Sequence, residues 1–302
     1  MTALAPTAPL PADTQRGLWL GALGVAIFAM TLPMTRLAVG PAEAPQLPPV
    51  FVTAGRAAGA ALLSLVYLWL THAPRPQRRH LLPLLLSATG TVVGFPLFLS
   101  LALREVPAMH AAVVTGILPL ATAGVAAWAF RQRASLGFWA CAVAGCALVL
   151  AFAALEGGGS LVRADGWLLL SVCSAAGGYV AGARLAAEWR AEHVISWVLV
   201  LSLPLTAPVA LAAWPTAPVS PSAWLGFGYV TLFSMWLGFF AWYRGLALGG
   251  TMRVSQVQLI QPFLALLFAV PVLGEALRPS TLLFSLAVIA IVFVGKRMPV
   301  RP

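Results

Sequence analysis

The sequence predicts an all-α polytopic membrane protein of ten transmembrane helices, built as two inverted five-helix repeats. Three observations predict it. The 302 residues are 61% hydrophobic and 9% charged, with a mean hydropathy of +0.92. A soluble domain of this size would carry about a quarter charged residues. Ten apolar segments, each near the ~20 residues that hydrocarbon requires, are separated by Pro, Gly or charge. Basic residues then gather on one side of that alternating path.

In chain order, residues 1–16 are Pro-, Ala- and Thr-rich and are expected to be a disordered cytoplasmic N-terminus. Only Arg16 precedes the first apolar run, and no convincing cleavage site follows, so that run reads as a retained helix. The first repeat, 17–155, holds segments 17–38, 50–71, 81–103, 107–130 and 135–155. The second, 166–297, holds 166–187, 194–213, 222–247, 251–273 and 280–297. The irregular links 39–49, 156–165 and 214–221 are too short to be soluble domains. Pro33, Pro96, Pro119 and Pro262 fall inside segments and should bend them. The spacing of Gly55/Gly59, Gly90/Gly94, Gly178/Gly182 and Gly245/Gly249 suits close helix packing.

Charge sets the orientation. With the N-terminus in the cytoplasm, 13 Lys and Arg fall on the cytoplasmic side and 4 (Arg36, Arg104, Arg163, Arg278) on the outer side. Both termini are therefore expected in the cytoplasm, with the protein in the inner membrane. The net charge of +10 is accounted for by this topology and does not point to nucleic acid. Arg56 lies within the second segment and counts for neither side.

The halves resemble each other. A shift of 143 residues places Pro119 on Pro262, Met109 on Met252 and Thr115 on Gln258. A shift of 148 places Arg36-Leu37-Ala38 on Arg184-Leu185-Ala186 and Thr31 on Tyr179. Five helices is an odd number, so the second copy enters from the opposite face. Such inverted repeats place substrate sites at their interface near the midplane.

The stretch Gly250–Pro279 organises this pattern. Its first half carries Ser255, Gln256, Gln258 and Gln261, then Pro262; its second half is apolar and ends in Leu273-Gly274-Glu275. Amides and a proline are costly in lipid unless protein covers them. The spacing from Pro262-Phe263 to Leu273-Gly274-Glu275 closely resembles the ninth helix of EamA-type members of the drug/metabolite transporter superfamily. The resemblance extends over about Gly17 to Val294. It implies transport of small metabolites, and bacterial members include exporters of amino acids, aromatic ones among them. One departure is Arg131-Gln132, where the family often repeats Gly-Glu.

All eight acids (Asp13, Glu43, Glu105, Glu156, Asp165, Glu188, Glu192, Glu275) fall at segment ends or in links. Proton-coupled pumps commonly use an intramembrane carboxylate, so facilitated diffusion or exchange is expected. The candidate substrate-binding residues are neutral. Gln258 and Gln261 lie about 60° apart on a helix and share a face. Thr115 is the repeat mate of Gln258, and Thr31 that of Tyr179. Trp236 and Tyr243 make an aromatic face with Phe239 or Phe240. The competing reading of the amides is interhelical bonding, worth about 1 kcal/mol. Arg56 reads first as a snorkelling or structural arginine near the outer surface, and second as an attractor of carboxylate. His110 reads as interfacial, with a pH-sensitive gate as the alternative. Cys141, Cys146 and Cys173 read as small buried residues, neither disulfide nor metal ligands.

No HExxH, GxSxG or P-loop occurs, so neither an enzyme nor ATP-driven transport is expected. No cofactor or metal is expected. The reading is an amino-acid exporter working by alternating access, monomeric, with a small metabolite and membrane lipid as its partners. A translocator of organic phosphates or nucleotide sugars is the rival within transport. A non-transporting scaffold is the rival outside it.

Overall fold

The structure is a computed structural model; it describes residues 11–129, 133–156, 161–186, 189–249, 257, 260–298 and 300–301. The architecture is helical, apart from a two-residue antiparallel pair, β1 (Arg133–Ala134) with β2 (Val300–Arg301). The first half runs α1 (Pro11–Ala29), α2 (Thr31–Val39), α3 (Pro49–Leu70), α4 (Arg78–Ser87), a π-helical stretch (Ala88–Gly94), α5 (Phe95–Glu105), α6 (Ala108–Thr115), α7 (Leu118–Ala129) and α8 (Leu136–Glu156). The second runs α9 (Arg163–Ala186), α10 (Ala191–Ala212), α11 (Pro221–Tyr229), a second π-helical stretch (Val230–Leu237), α12 (Gly238–Gly249), α13 (Gln261–Leu273) and α14 (Pro279–Arg297).

Among the described residues, seven helical runs are long and apolar enough to cross a membrane, from Gln15–Val39 to Pro221–Trp242. Gln261–Leu273 and Pro279–Gly295 are apolar but shorter. The protein is therefore a multi-pass membrane protein, yet length and apolarity alone do not return ten spans. Only the described residues enter that count. The 24-residue α9 carries Arg163, Asp165 and Arg184 and is less apolar. Of the amide-rich half of the ninth segment, only Val257 and Ile260 are described before α13 begins.

Pro33, Pro96 and Pro119 lie inside continuous helical runs, Gln15–Val39, Arg78–Glu105 and Ala108–Ala129, each just after a change in the helical bonding pattern, and Pro262 opens α13. Pro33 is third in α2, and Pro96, Pro119 and Pro262 are second in α5, α7 and α13. In the run from Ala108 the change falls at Gly116–Ile117, between α6 and α7.

Packing pairs the two halves. α1 lies on α12, and α9 lies on α4, the first π stretch, α5 and α7. The helices Pro49–Leu70 and Ala191–Ala212 pair, as do Ala108–Thr115 with Gln261–Leu273 and Leu136–Glu156 with Pro279–Arg297. The largest buried cluster spans both halves, from Phe51 and Leu99 through Phe152 and Leu168 to Leu266. Large apolar side chains such as Trp69, Trp128 and Leu136 face outward, as a lipid-facing surface requires.

The cysteines correct their sequence reading. All three are free; Cys146 and Cys173 are exposed and Cys141 is half-buried. An apolar run marks burial only in water. In a bilayer the same run equally marks the lipid side.

Candidate functional site

The two π-helical stretches sit at the same place in each half. Thr91 and Ser234 stand 143 residues apart, the same offset as Pro119 and Pro262. π-Helical insertions are rare and are frequent at functional sites. Here both stretches face one internal cavity of about 80 Å³. Its polar wall is Arg56, Thr91, Thr115, Tyr179, Ser234 and Gln261. Its apolar wall is Phe28, Leu32, Phe95, Leu118, Met235 and Phe239. Both halves contribute to each wall. At ~30 Å³ per water, this volume holds only a few waters, so a metabolite would enter only as the walls part.

Ser234 is the centre of the polar contacts. Its Oγ accepts from Arg56 Nη2 at 3.0 Å and from Thr31 Oγ1 at 2.8 Å. Arg56 is 2% exposed, so the snorkelling reading is corrected: seven residues beyond Pro49, its head turns into the bundle. Nη2 also meets the sulfur of Met235 at 3.7 Å. Nε and Nη1 find no acceptor among the described residues. Among the acids whose side chains are described, Asp165 is on His110, Glu192 lies near Arg190, Glu275 holds backbone N–H groups, and Glu43 and Glu105 are exposed. Thr115 and Thr91 bond back to the carbonyls of Ala111 and Ser87, each at 2.7 Å.

The structure brings together Thr115, Tyr179 and Gln261 in the wall of this cavity, and Thr31 stands behind it, bonded to Ser234. Trp236 lies apart from it. Its indole packs on Phe240 (5.0 Å) and Tyr67 (6.4 Å), while Phe239 turns to the cavity. Regular helical spacing put Trp236 and Phe239 on one face, and the π stretch that ends at Leu237 separates them. Gln258 lies outside the described residues, as does the side chain of Tyr243. Thr91, Ser234 and Met235 were missed by sequence reading as site residues, and Arg56 was ranked there as a snorkelling or structural arginine first and a carboxylate attractor second. The 143-residue shift would have paired Thr91 with Ser234, and Arg56 stood out as the basic residue counted on neither side of the membrane.

One end of the bundle is bound by polar contacts between segments. Glu275 accepts from the backbone N–H groups of Ala108 (2.7 Å) and Met109 (2.9 Å). This carboxylate caps the positive N-terminus of α6 from across the bundle. Gly274, in the left-handed region at φ 68°, makes the turn that delivers it. His110 meets Asp165 at 2.7 Å, and Asp165 also accepts from Val162 N. Arg104 donates to Leu47 O, Arg36 to Leu103 O, and Ser220 N to Gln46 Oε1. Beneath them lies a hollow of about 370 Å³ edged by Arg36, Gln46, Ser220 and Glu275.

Comparison with known proteins agrees with this geometry. The EamA-like transporter family matches twice, over residues 15–154 and 162–295. An uncharacterized transporter of Bacillus subtilis (strain 168), YdeK, is 41% identical over 286 residues, 94% of this chain and 98% of its own. A protein of known crystal structure aligns over 93% of this chain and 95% of its own, with a TM-score of 0.62 and 18% identity. At that identity the likeness concerns the fold alone.

Proposed function

The chain belongs to the EamA-like transporter family, a transporter and not an enzyme, and from that premise we propose that it exports amino acids by alternating access. The proposed architecture is ten crossings in two inverted repeats, 17–155 and 166–297, after a cytoplasmic segment 1–16. Both termini lie in the cytoplasm, and the membrane is the inner membrane of the cell. Gln258 and Tyr243 join Thr31, Thr115, Tyr179, Gln261 and Trp236 as proposed substrate contacts. Trp236 acts here from the rim, since its ring lies apart from the cavity described.

The single observation that supports this reading is the mixed wall of the cavity, drawn from both halves. A guanidinium, hydroxyls and an amide offer partners to a zwitterion, and Phe28, Phe95 and Phe239 offer an apolar surface to its side chain. The paired π stretches and broken helices supply the bendable segments that alternating access needs. With no carboxylate in the described cavity wall, exchange or facilitated diffusion is favoured over proton coupling. An organic-phosphate translocator would draw on the same arginine, but the wall holds no second cation for a dianion.

The test is uptake into liposomes of radiolabelled amino acids by the purified chain. The expected result is saturable flux down the substrate gradient, with no imposed pH gradient or membrane potential. Flux of sugar phosphates but not amino acids would overturn the substrate reading. Accumulation that needs a proton gradient would overturn the energetics.

A further inference from the structure

Arg56 is the one side chain in the cavity wall whose burial is not explained by its bonds. A guanidinium has five N–H donors and cannot be neutralised in a protein. Here a single nitrogen, Nη2, holds its recorded partners, Ser234 Oγ and Met235 Sδ. Nε and Nη1 have none among the described residues, on a side chain 2% exposed. A purely structural arginine in a bundle would turn these donors onto carbonyls or an acid, because an unpaired buried charge is expensive. Helix ends and prolines leave carbonyls available in this fold, and Arg104 and Arg36 each take one. Arg56 takes none.

We infer that Arg56 is the receptor for the carboxylate of the transported molecule, and that the site selects one monocarboxylate on an apolar body. Ser234 positions the guanidinium, and Thr31 in turn donates to Ser234. Tyr179 faces the same cavity with a hydroxyl able to donate to a second carboxylate oxygen. Phe28, Phe95 and Phe239 receive the remainder of the molecule. The described wall contains one cation, so a phosphate dianion is left half-neutralised there while a carboxylate is matched. The wall also contains no carboxylate to pair with an ammonium. Recognition therefore rests on the acid group, and the amino group is dispensable.

This deepens the transport reading and rests on it only for the word "transported"; binding is measured separately from flux. The full chain in detergent is heated with millimolar L-phenylalanine, phenylacetate, phenethylamine, L-phenylalaninamide or phenyl phosphate. The two carboxylates are expected to raise the melting temperature, and the amine, the amide and the phosphate to raise it less or not at all. Arg56→Gln is expected to weaken carboxylate binding roughly 10- to 100-fold. Arg56→Lys keeps the charge and should retain part of it. Ser234→Ala, which leaves Arg56 in place, should weaken it by less than Arg56→Gln. Equal stabilisation by phenethylamine, stronger stabilisation by phenyl phosphate, no stabilisation by either carboxylate, or unchanged carboxylate binding in folded Arg56→Gln would each overturn the inference. Arg56-dependent binding without flux in liposomes would leave the inference standing and remove the transport reading instead.

Discussion

The two π-helical stretches share one backbone device and put it to different uses. In the first, Ala88–Gly94, position 90 is glycine, and α9 presses against it. A Cβ there would lie 2.6 Å from the Cα of Gly178. The hydroxyl of Thr91 is spent on the carbonyl of Ser87. In the second stretch, position 90 becomes Phe233, which faces outward and stacks on Tyr229 at 5.2 Å. Thr91 becomes Ser234, whose hydroxyl, without a γ-methyl beside it, meets Thr31 and Arg56. The first stretch is a packing seam and the second a polar hub. Duplication fixed where the helices bulge, while single residues decided what each bulge does.

Four expected outcomes break or sharpen that contrast. The largest concerns the seam. Gly90→Leu should sharply reduce folded yield and lower the melting temperature, since overpacking a tight backbone approach costs about 1–3 kcal/mol or more. Phe233→Leu, at the mated position, should leave both near wild type. Comparable damage from the two would mean that the stretches are used alike.

Next comes the hub. Ser234→Ala should slow amino-acid uptake about tenfold, the scale of one hydrogen bond to a charged group. Thr91→Val should change uptake little, since its hydroxyl serves its own helix. Equal defects in initial rate would erase the distinction. A smaller effect is expected at the capped end. Glu275→Gln should cost about 1 kcal/mol through weakened capping of α6, read as easier denaturation. It should also increase labelling of a cysteine placed at Gln46 by an impermeant maleimide, because the bonds around that hollow loosen together. The smallest effect on activity comes from the topology probes. Cysteines introduced one at a time in 39–49, in 214–221 and beside Arg78, after the native cysteines are removed, should leave transport intact. Only the first two should label from outside.

Much of the fold was legible because lipid enforces it. Segment length and basic-residue placement follow from bilayer thickness and charge, so the apolar runs around Phe51 and Val198 could be placed from sequence. The helical breaks were less legible. Pro119 was visible, but it marks the start of α7, and Gly116–Ile117 make the break. The π stretches carry no compositional mark; nothing in Ala88–Gly94 distinguishes it from α-helix until its neighbours are packed. This is why Trp236 and Phe239 were set on one face and then separate in space. Thr115, Tyr179 and Gln261 could be grouped because the repeat shift works without knowing local geometry. Arg56 was weighed against snorkelling, and only tertiary packing shows that its head turns inward.

Glu275 binds two backbone N–H groups and no side chain of α6. Any residue except proline presents the same N–H at positions 108 and 109. Sequence drift there is therefore limited by the buried space around Ala108 and Met109, and not by any need to keep a matching partner. The acid itself has no such freedom, because its reach and charge are the whole of its half of the contact. Coupling between these two parts of the chain can thus persist while one partner's side chains change, leaving no correlated pair of substitutions as its trace.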